Sequence, residues 1–166
     1  MIPSGTRSAT GERLTSAELA AWRGMLRVAT RLRRELGERL ASEHGLSMAD
    51  YDVLVRLAEQ PGRRIRMSDL AEAILQPRSS LTRIADGLER RGLIRRERSP
   101  ADGRGAEAVL TDEGLARFRD AQQTHLAGVR DRFLDRLGDD QLAQLAAAWQ
   151  AIEPASLDPA PDESPD

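Results

Sequence analysis

A run of arginine and hydroxyl side chains overlaps an apolar stripe in the middle of the chain. The run is Arg78, Ser79, Ser80, Thr82 and Arg83, and the stripe is Leu81, Ile84, Ala85 and Leu88. The stripe has helical spacing and Pro77 suits a first turn, so the run occupies the first two turns of a helix. A guanidinium group can grip guanine with two hydrogen bonds, while serine and threonine bond to phosphates or bases. These five residues are therefore predicted to contact nucleic acid; an ordinary polar helix face is the competing interpretation.

Three more arginines follow in a predicted β-hairpin. Gly92 ends the helix, residues 99–105 are crowded with turn formers, and residues 106–110 return as a second strand. The first strand carries Arg95, Arg96 and Arg98. We interpret them as phosphate contacts or as surface charges that support the fold, and not as base readers.

The tip of this hairpin contains Asp102 and Arg104. A guanidinium on a hairpin tip can enter a narrow minor groove, where negative potential is concentrated. Asp102 can orient Arg104 through a charge-assisted hydrogen bond. The alternative is a plain turn that uses Asp and Gly for their backbone preferences.

Positive charge is concentrated in this part of the chain. Residues 62–105 contain 11 arginines and 6 acidic residues, a net charge of +5, whereas the whole chain has a net charge of −2. A basic block within an acidic chain is what phosphate neutralisation requires. A solvated arginine-rich face remains the alternative on charge alone.

The composition argues against several other classes of site. The absence of cysteine excludes disulfides, thiolate metal sites and thiol-based sensing on this chain. The two histidines, His44 and His125, fall on different elements without metal-ligand spacing, so we expect no metal. No phosphate-cradling glycine loop or nucleophile motif is present, so we expect neither a cofactor nor an enzyme.

The elements before the basic block are predicted to be helices. Thr15 with Glu18 and Ser47 with Asp50 are capping pairs for helices 1 and 2, and Gly45 ends helix 1. Helix 2 runs until Pro61-Gly62, and residues 63–66 form a connector or one extended strand beside the hairpin. Ser68 is predicted to cap helix 3, and the residues of that helix expected to face inward are Leu70, Ala71, Ile74 and Leu75. Two short helices joined by a tight turn form a helix-turn-helix.

The C-terminal part is also predicted to be helical. Thr111 caps helix 5, which is expected to equal helix 1 in length and to run to Gly138, and Asp139 or Asp140 caps helix 6. Helix 6 has an apolar face of Leu142, Leu145, Ala146, Trp149 and Ile152. Helix 1 carries more apolar surface than one small domain can cover, which indicates a partner helix.

Several short motifs together resemble the MarR family of bacterial winged-helix transcription regulators. They are residues 82–94, the hairpin tip Asp102-Gly-Arg104, and Leu110-Thr-Asp-Glu-Gly114, and the resemblance extends from about Leu14 to Ile152. It implies a ligand-responsive homodimer that binds a pseudo-palindromic operator in duplex DNA and represses transcription. The alternative is a winged-helix protein-interaction module without sequence-specific DNA readout.

The expected fold is mainly α (α+β), with a winged helix-turn-helix lobe, a two-stranded wing and a dimerisation bundle of long terminal helices. Residues 14–152 form this domain: 46–110 are the DNA-binding lobe, and 14–44 and 111–152 are the dimerisation helices. Residues 1–13 and the acidic, proline-rich residues 153–166 are expected to be disordered. We expect no membrane span and a cytoplasmic location.

Three residues are candidates for a pocket between the dimerisation bundle and the DNA-binding lobe. Trp22, His44 and Tyr51 could line such a site for an aromatic or phenolic effector. Alternatively, Trp22 and Tyr51 are core or dimer contacts, and His44 only interacts favourably with the dipole at the C-terminus of its helix.

Overall fold

The computed structural model describes residues 13–98 and 105–152. The helices are α1 (Ser16–His44), α2 (Met48–Ala58), α3 (Met67–Ala73), α4 (Arg78–Arg90), α5 (Asp112–Arg132) and α6 (Asp139–Ile152). The strands are β1 (Arg64–Arg66), β2 (Ile94–Arg98) and β3 (Ala106–Leu110), and short 3-10 turns occur at Pro61–Arg63 and Leu134–Arg136. This confirms a mainly helical α+β chain. Apart from Arg13, the ends predicted to be disordered lie outside the described residues, as does the hairpin tip.

Side-chain caps define the N-termini of α1, α2 and α5. Thr15 and Ser47 each form a reciprocal capping box, with Glu18 and Asp50 respectively. Thr111 Oγ1 accepts a hydrogen bond from the Gly114 N–H at 2.9 Å. At the other end of α1, Gly45 adopts the left-handed conformation, with φ of 63°. These four predicted boundaries are confirmed.

A helix-turn-helix and a small antiparallel sheet lie in the middle of the chain. Helices α3 and α4 are joined by residues 74–77, and α4 leads directly into β2. The strand order is β1-β3-β2, so β3 pairs with both neighbours. The predicted two-stranded wing is therefore present, and the connector at residues 64–66 is a third strand beside it.

The hydrophobic core lies where the helix-turn-helix meets the sheet and helices α1, α2 and α5. Its fully buried members from the central helices include Leu54, Leu57, Leu70, Leu81 and Leu88. Ile94 and Leu110 add the first residue of β2 and the last of β3. Burial of one face of α4 against this core fixes which of its residues face solvent.

The predicted start of α3 is wrong by two residues, because the N-cap is Arg66 and not Ser68. The helix begins at Met67, directly after β1, and its N-cap is Arg66, which makes no side-chain capping bond. Ser68 therefore lies inside the first turn, where its hydroxyl donates to Asp69 Oδ1 at 2.8 Å. Pairing of β1 with β3 carries the extended conformation through Arg66 and leaves no place for a cap at Ser68.

The predicted inward orientation of Leu75 is also wrong. Its side chain is 90% exposed, and its backbone is left-handed with φ of 52°. The helical spacing correctly predicts that Leu70 and Ala71 are buried. It does not apply to Leu75, because α3 ends before that residue. The chain is already turning there toward α4.

The C-terminal helices differ in length from the prediction. Helix α5 ends at Arg132, short of Gly138, because Phe133 leaves the helical region with φ of −130°. It has 21 residues, whereas α1 has 29. Helix α6 starts at Asp139, so the two aspartates occupy its first turn. The backbone N–H of Gly138 donates to Gln141 Oε1 at 3.0 Å.

We expect Gly114→Ala to destabilise the protein strongly. A Cβ at this position would overlap the Leu93 carbonyl oxygen, a backbone atom that cannot move aside cheaply. Overpacking of this kind costs about 1–3 kcal/mol. Urea unfolding at a fixed protein concentration measures the decrease in stability.

Gly87→Ala is the matched control within α4. The nearest atom to its added Cβ is the flexible end of Arg90 at 4.0 Å. Alanine favours a helix interior over glycine by about 1 kcal/mol, so this variant should be at least as stable as the wild type. Equal stability of the two variants would contradict close packing at Gly114.

Candidate nucleic-acid interface

Helix α4 presents a polar face opposite its buried one. Leu81, Ala85 and Leu88 are buried, whereas Arg78, Ser79, Thr82 and Arg83 are exposed and Ser80 is half-buried. The structure thus brings all five predicted residues of α4 to the first two turns. The Thr82 hydroxyl donates to the Arg78 carbonyl oxygen at 2.9 Å, a bond within the helix.

The N-terminus of α4 is suited to a negatively charged group. Its N-cap is Pro77, which makes no side-chain capping bond, and the first turn contains no acidic residue. Backbone N–H groups and the helix dipole make such an end favourable for phosphate. Arg78 and Arg83 form no ion pair within residues 13–98 and 105–152. Their guanidinium groups are available to an external partner.

Ion pairs neutralise much of the remaining basic block. Arg63 contacts Asp112 at 3.0 Å, Arg91 contacts Asp50 at 3.4 Å, and Arg64 contacts both Glu107 at 2.9 Å and Glu97 at 2.8 Å. On β2, Arg95 is exposed and paired with Glu97. The net charge of the sequence block therefore overstates the charge available to a ligand, and the unpaired arginines on α4 stand out.

Arg96 links β2 to α4, a role that the sequence did not separate from those of Arg95 and Arg98. Its Nη2 lies 2.6 Å from both Asp86 Oδ1 and Glu89 Oε2, and its Nε donates to Glu89 Oε2 at 2.9 Å. The Arg96 backbone N–H donates to Glu89 Oε1 at 2.9 Å. These bonds connect β2 to α4. For Arg96 they agree with the second of the two interpretations, a surface charge that supports the fold. The hydrogen bonds raise the pKa of Arg96 and lower that of Glu89.

The remaining predicted contacts of the hairpin are Arg98 on β2 and Asp102 and Arg104 at the tip. Arg98 is exposed at the end of β2, and within the described ranges it has no ion-pair partner. Asp102 and Arg104 lie outside the described residues, so their orientation at the wing tip stays a prediction.

A groove between α4 and the base of the wing brings further polar residues together. It has a volume of about 460 Å³ and is lined by Arg66, Met67, Ser68, Arg78, Leu81, Thr82, Gly105 and Ala106. Arg78 and Thr82 belong to the predicted set, whereas Arg66 and Ser68 were not predicted to contact nucleic acid. Arg66 was visible only as part of the basic block, and Ser68 was assigned to a helix cap.

Of the three predicted pocket residues, only Tyr51 lines the cavity among α1, α2 and α5. Trp22 is 53% exposed on α1, and His44 Nε2 lies 2.8 Å from Thr124 Oγ1 on α5. Tyr51 lines a cavity of about 460 Å³ that is formed by residues of α1, α2 and α5 and by residues 73–75, and neither Trp22 nor His44 lines it. The Tyr51 pocket, as we call it, is lined by Arg33, Tyr51, Asp52, Val55, Arg56, Glu59, Ala73, Ile74, Leu75, His125 and Leu126.

His125 is a pocket residue that sequence reasoning missed. Its ring lies over that of Tyr51, with centroids 4.5 Å apart, and its buried Nδ1 has no hydrogen-bond partner among the described residues. Burial lowers the pKa of His125, although the charge of Asp52 opposes this, and burial raises the pKa of Tyr51 to about 12. Both side chains are therefore neutral near pH 7, giving an uncharged aromatic wall. The one signal for this role in the sequence is that His125 directly precedes Leu126 of the apolar stripe of α5.

Two negative findings apply to the residues that the structure describes. They contain no group of three histidine, cysteine or acidic residues arranged to hold a metal ion. In the same ranges, no helix has the length and apolar character needed to cross a membrane.

The pairing of Arg96 with Glu89 should make stability depend on pH. Because the folded-state pKa of Glu89 lies below its ordinary value of 4.5, its contribution is present above that value and is lost as pH falls through the folded pKa. Arg96→Gln should therefore be less stable than the wild type at pH 7, and the difference should narrow below about pH 4. Chemical unfolding across this range measures it.

Arg90→Gln is the control, because Arg90 has no ion-pair partner within the described residues. Its stability relative to the wild type should not vary with pH in the acidic range. A constant difference for Arg96→Gln would show that the pair does not perturb Glu89.

Comparison with known proteins places this geometry in a family. A model described as the MarR family matches residues 44–105. The chain is similar to the solved structure of AbsC, a MarR family transcriptional regulator from Streptomyces coelicolor, with 41% identity, 85% of this chain and 95% of that one covered, and a TM-score of 0.79.

Two further solved structures are informative. Sco3205, a MarR family transcriptional regulator from Streptomyces coelicolor solved in complex with DNA, is 36% identical, with 87% of this chain and 91% of that chain covered and a TM-score of 0.82. CouR from Rhodococcus jostii RHA1, solved bound to p-coumaroyl-CoA, is 26% identical, with 82% and 90% covered and a TM-score of 0.66. The predicted resemblance is confirmed: the chain belongs to the MarR family of transcriptional regulators.

Proposed function

We propose that two copies of this chain bind duplex DNA in a sequence-specific manner and repress transcription from the bound site. The observation that carries the proposal is the solvent-facing side of α4, where Arg78 and Arg83 remain unpaired among the described residues while neighbouring arginines are held by carboxylates. The family membership and the DNA complex of Sco3205 support it. They favour DNA binding over a winged-helix interaction module.

In this proposal, α4 enters the major groove by its N-terminal turns. Arg78 and Arg83 are candidates for bidentate contacts to guanine, and Ser79, Ser80 and Thr82 for bases or phosphates. The groove formed with Arg66 and Ser68 lies beside these residues and is a candidate phosphate position.

The wing is proposed to contact the neighbouring backbone and minor groove. Arg98 is a candidate phosphate contact, and Arg104, oriented by Asp102, is a candidate for the minor groove. Arg95 is exposed but shares Glu97 with Arg64, so a phosphate would compete with a carboxylate for it. Arg96 is proposed to hold the wing on α4, because its donors already face Asp86 and Glu89.

Dimerisation is supported by the packing of α6. This helix has no buried residue and makes no extensive contact with another described element of its own chain, although Leu142, Leu145 and Trp149 lie along it at helical spacing. An apolar helix face that its own chain leaves uncovered is typical of an interface. Exposed Trp22 and Leu26 give α1 a similar surface.

We therefore propose that residues 14–44 and 111–152 form the dimer and that residues 46–110 form the DNA-binding lobe. No reaction is assigned to the chain. A regulator of chromosomal DNA acts in the bacterial cytoplasm, which we propose as its location.

The Tyr51 pocket is our candidate for an effector site. It is lined by residues of the dimerisation helices and of the lobe, and its volume falls in the range of small-molecule sites. The structure of CouR with p-coumaroyl-CoA shows that one relative binds a small molecule. In this proposal Tyr51 lines the effector site and Trp22 is a dimer contact. His44, whose Nε2 lies 2.8 Å from Thr124 Oγ1, links α1 to α5.

Selection of bound sequences from a random DNA pool tests the main proposal. A two-fold dimer should recover an inverted repeat with half-site centres about 10 bp apart. Arg83→Ala should relax base preference at symmetric positions, because a bidentate pair with a base supplies about 1–3 kcal/mol of discrimination. Ser79→Ala should relax it less, because a serine hydroxyl makes no bidentate pair. Arg98→Ala should weaken all sequences similarly and lower the salt slope by about one unit.

Arg90→Ala serves as the control at the opposite end of α4, where an exposed arginine should affect base preference little. Recovery of a direct repeat, or of no symmetric motif, would show that the proposed docking is wrong.

Truncation tests the dimer. A chain ending at Gly138 lacks α6 and should sediment as a monomer or aggregate, because in the proposed dimer the α6 of each copy covers apolar surface of the other. A chain ending at Pro154 keeps α6 and should remain a dimer. A stable dimer of the shorter chain would rule out α6 as the main interface.

A further inference from the structure

The three-stranded sheet has one face toward the core and α4 and one face away from them. Ile94 and Leu110, which are paired in the register, are buried in the core, and Arg96 donates hydrogen bonds to carboxylates of α4. Successive side chains of a strand point to opposite faces of its sheet. Arg95 and Glu97 therefore point away from α4.

The face that points away from α4 carries two arginines and two glutamates. Arg95 on β2 and Arg64 on β1 are both paired with Val109 of β3 in the register, and Glu97 is paired with Glu107. These four charged residues, Arg64, Arg95, Glu97 and Glu107, therefore lie together on one side of the sheet. We call them the outer sheet face.

The charges of the outer sheet face cancel. Glu97 Oε1 accepts a hydrogen bond from Arg95 Nε, and Glu97 Oε2 accepts one from Arg64 Nη2 at 2.8 Å. Arg64 Nε donates to Glu107 Oε2 at 2.9 Å. The hydrogen bond from Arg95 lowers the pKa of Glu97, so this carboxylate is ionised near pH 7. Arg66, the last residue of β1, lines the groove beside α4 and is not counted in this set.

The fold does not require a carboxylate at position 97. Glu97 lies directly opposite Glu107, and like charges in that arrangement are unfavourable. The pair of Glu97 with Arg95 joins residues of a single strand, so it connects no two elements. Arg95 is 56% exposed and Glu97 36%, and ion pairs with this exposure contribute little to stability. The role of Glu97 is therefore sought in what the outer sheet face would bind without it.

Without the carboxylate of Glu97, the outer sheet face would carry a net positive charge and Arg95 would lose its partner. Non-specific DNA binding depends on the number of phosphates that cations neutralise and not on the base sequence. Arg95 would then be available to phosphate, as Arg78 and Arg83 of α4 are. A protomer held on DNA by the outer sheet face would have α4 directed away from the bases, so this complex would compete with sequence-specific docking.

We propose that Glu97 is a specificity-determining residue of the DNA-binding lobe: its carboxylate neutralises Arg64 and Arg95 and thereby prevents the outer sheet face from binding DNA with α4 turned away. This inference rests on the proposed function. It depends on the net charge of the face and not on the strength of any one ion pair. Because a genome offers many competing sites, the ratio of specific to non-specific affinity decides whether an operator is occupied.

The test compares Glu97→Gln with the wild type on two DNA duplexes. One is the operator from the selection experiment, and the other has the same length but lacks the selected motif. Fluorescence anisotropy on the full-length protein gives both Kd values between about 50 and 200 mM salt. At the lower salt concentration, the non-specific Kd of Glu97→Gln should be at least about threefold smaller than that of the wild type, and its salt slope steeper by about one unit. The operator Kd should stay within about twofold, so the specificity ratio falls.

Two further variants show whether the released arginine is the cause. In the double variant Glu97→Gln, Arg95→Gln, the non-specific Kd and its salt slope should return to within about twofold of the wild type, because the released guanidinium is gone. Glu38→Gln is the matched control for net charge. Its partner Arg34 keeps a second carboxylate, that of Glu35 at 3.6 Å, so no arginine is released and the non-specific salt slope should not change.

Urea unfolding shows whether Glu97→Gln is folded. If it is not, Glu107→Gln takes its place, since it removes the other carboxylate of the outer sheet face and should shift non-specific binding in the same direction.

Four outcomes would overturn the inference. They are an unchanged non-specific Kd in the folded variant, an equal gain for operator and non-specific DNA, persistence of the gain in the double variant, and the same gain in Glu38→Gln. Failure of the wild type to select any DNA sequence would overturn the proposed function and this inference with it. Normal operator selection combined with any of the four outcomes overturns the inference alone.

Discussion

Burial of one face of α4 is the constraint on which the rest of the arrangement depends. Leu81, Ala85 and Leu88 enter the core completely, and the helical period then directs Arg78, Ser79, Thr82 and Arg83 to the opposite side. The same core receives Ile94 and Leu110, so the sheet is fixed relative to this helix. Orientation of the polar face is thus a result of apolar packing and needs no contact by the polar residues themselves.

Carboxylates then sort the arginines into two groups. Asp86 and Glu89 hold Arg96, and Glu97 and Glu107 hold Arg64, so these guanidinium groups stabilise connections between elements. The arginines of the first turns of α4 have no such partners among the described residues. A sequence count of charge cannot make this distinction, because the partners of Arg96 lie 7 and 10 residues away across a turn.

The sequence predicted correctly the helix boundaries that depend only on neighbouring residues. The caps at Thr15, Ser47 and Thr111 depend on residues three positions apart, and the structure has them as the sequence indicated. The prediction that Ser68 caps α3 was wrong, because the pairing of β1 with β3 determines where α3 begins. The Tyr51 pocket was only partly predictable, since His125 reaches Tyr51 from a helix more than 70 residues further along the chain.

The loose attachment of α6 to its own chain has a consequence for the response in the cell. A protein whose C-terminal helix is covered only by a second copy reaches its DNA-binding form in proportion to the square of the protomer concentration, as long as monomers predominate. Occupancy of the DNA site then rises more steeply than the amount of protein synthesised. A modest change in expression would be converted into a sharper change at the promoter, with no additional contact in the fold.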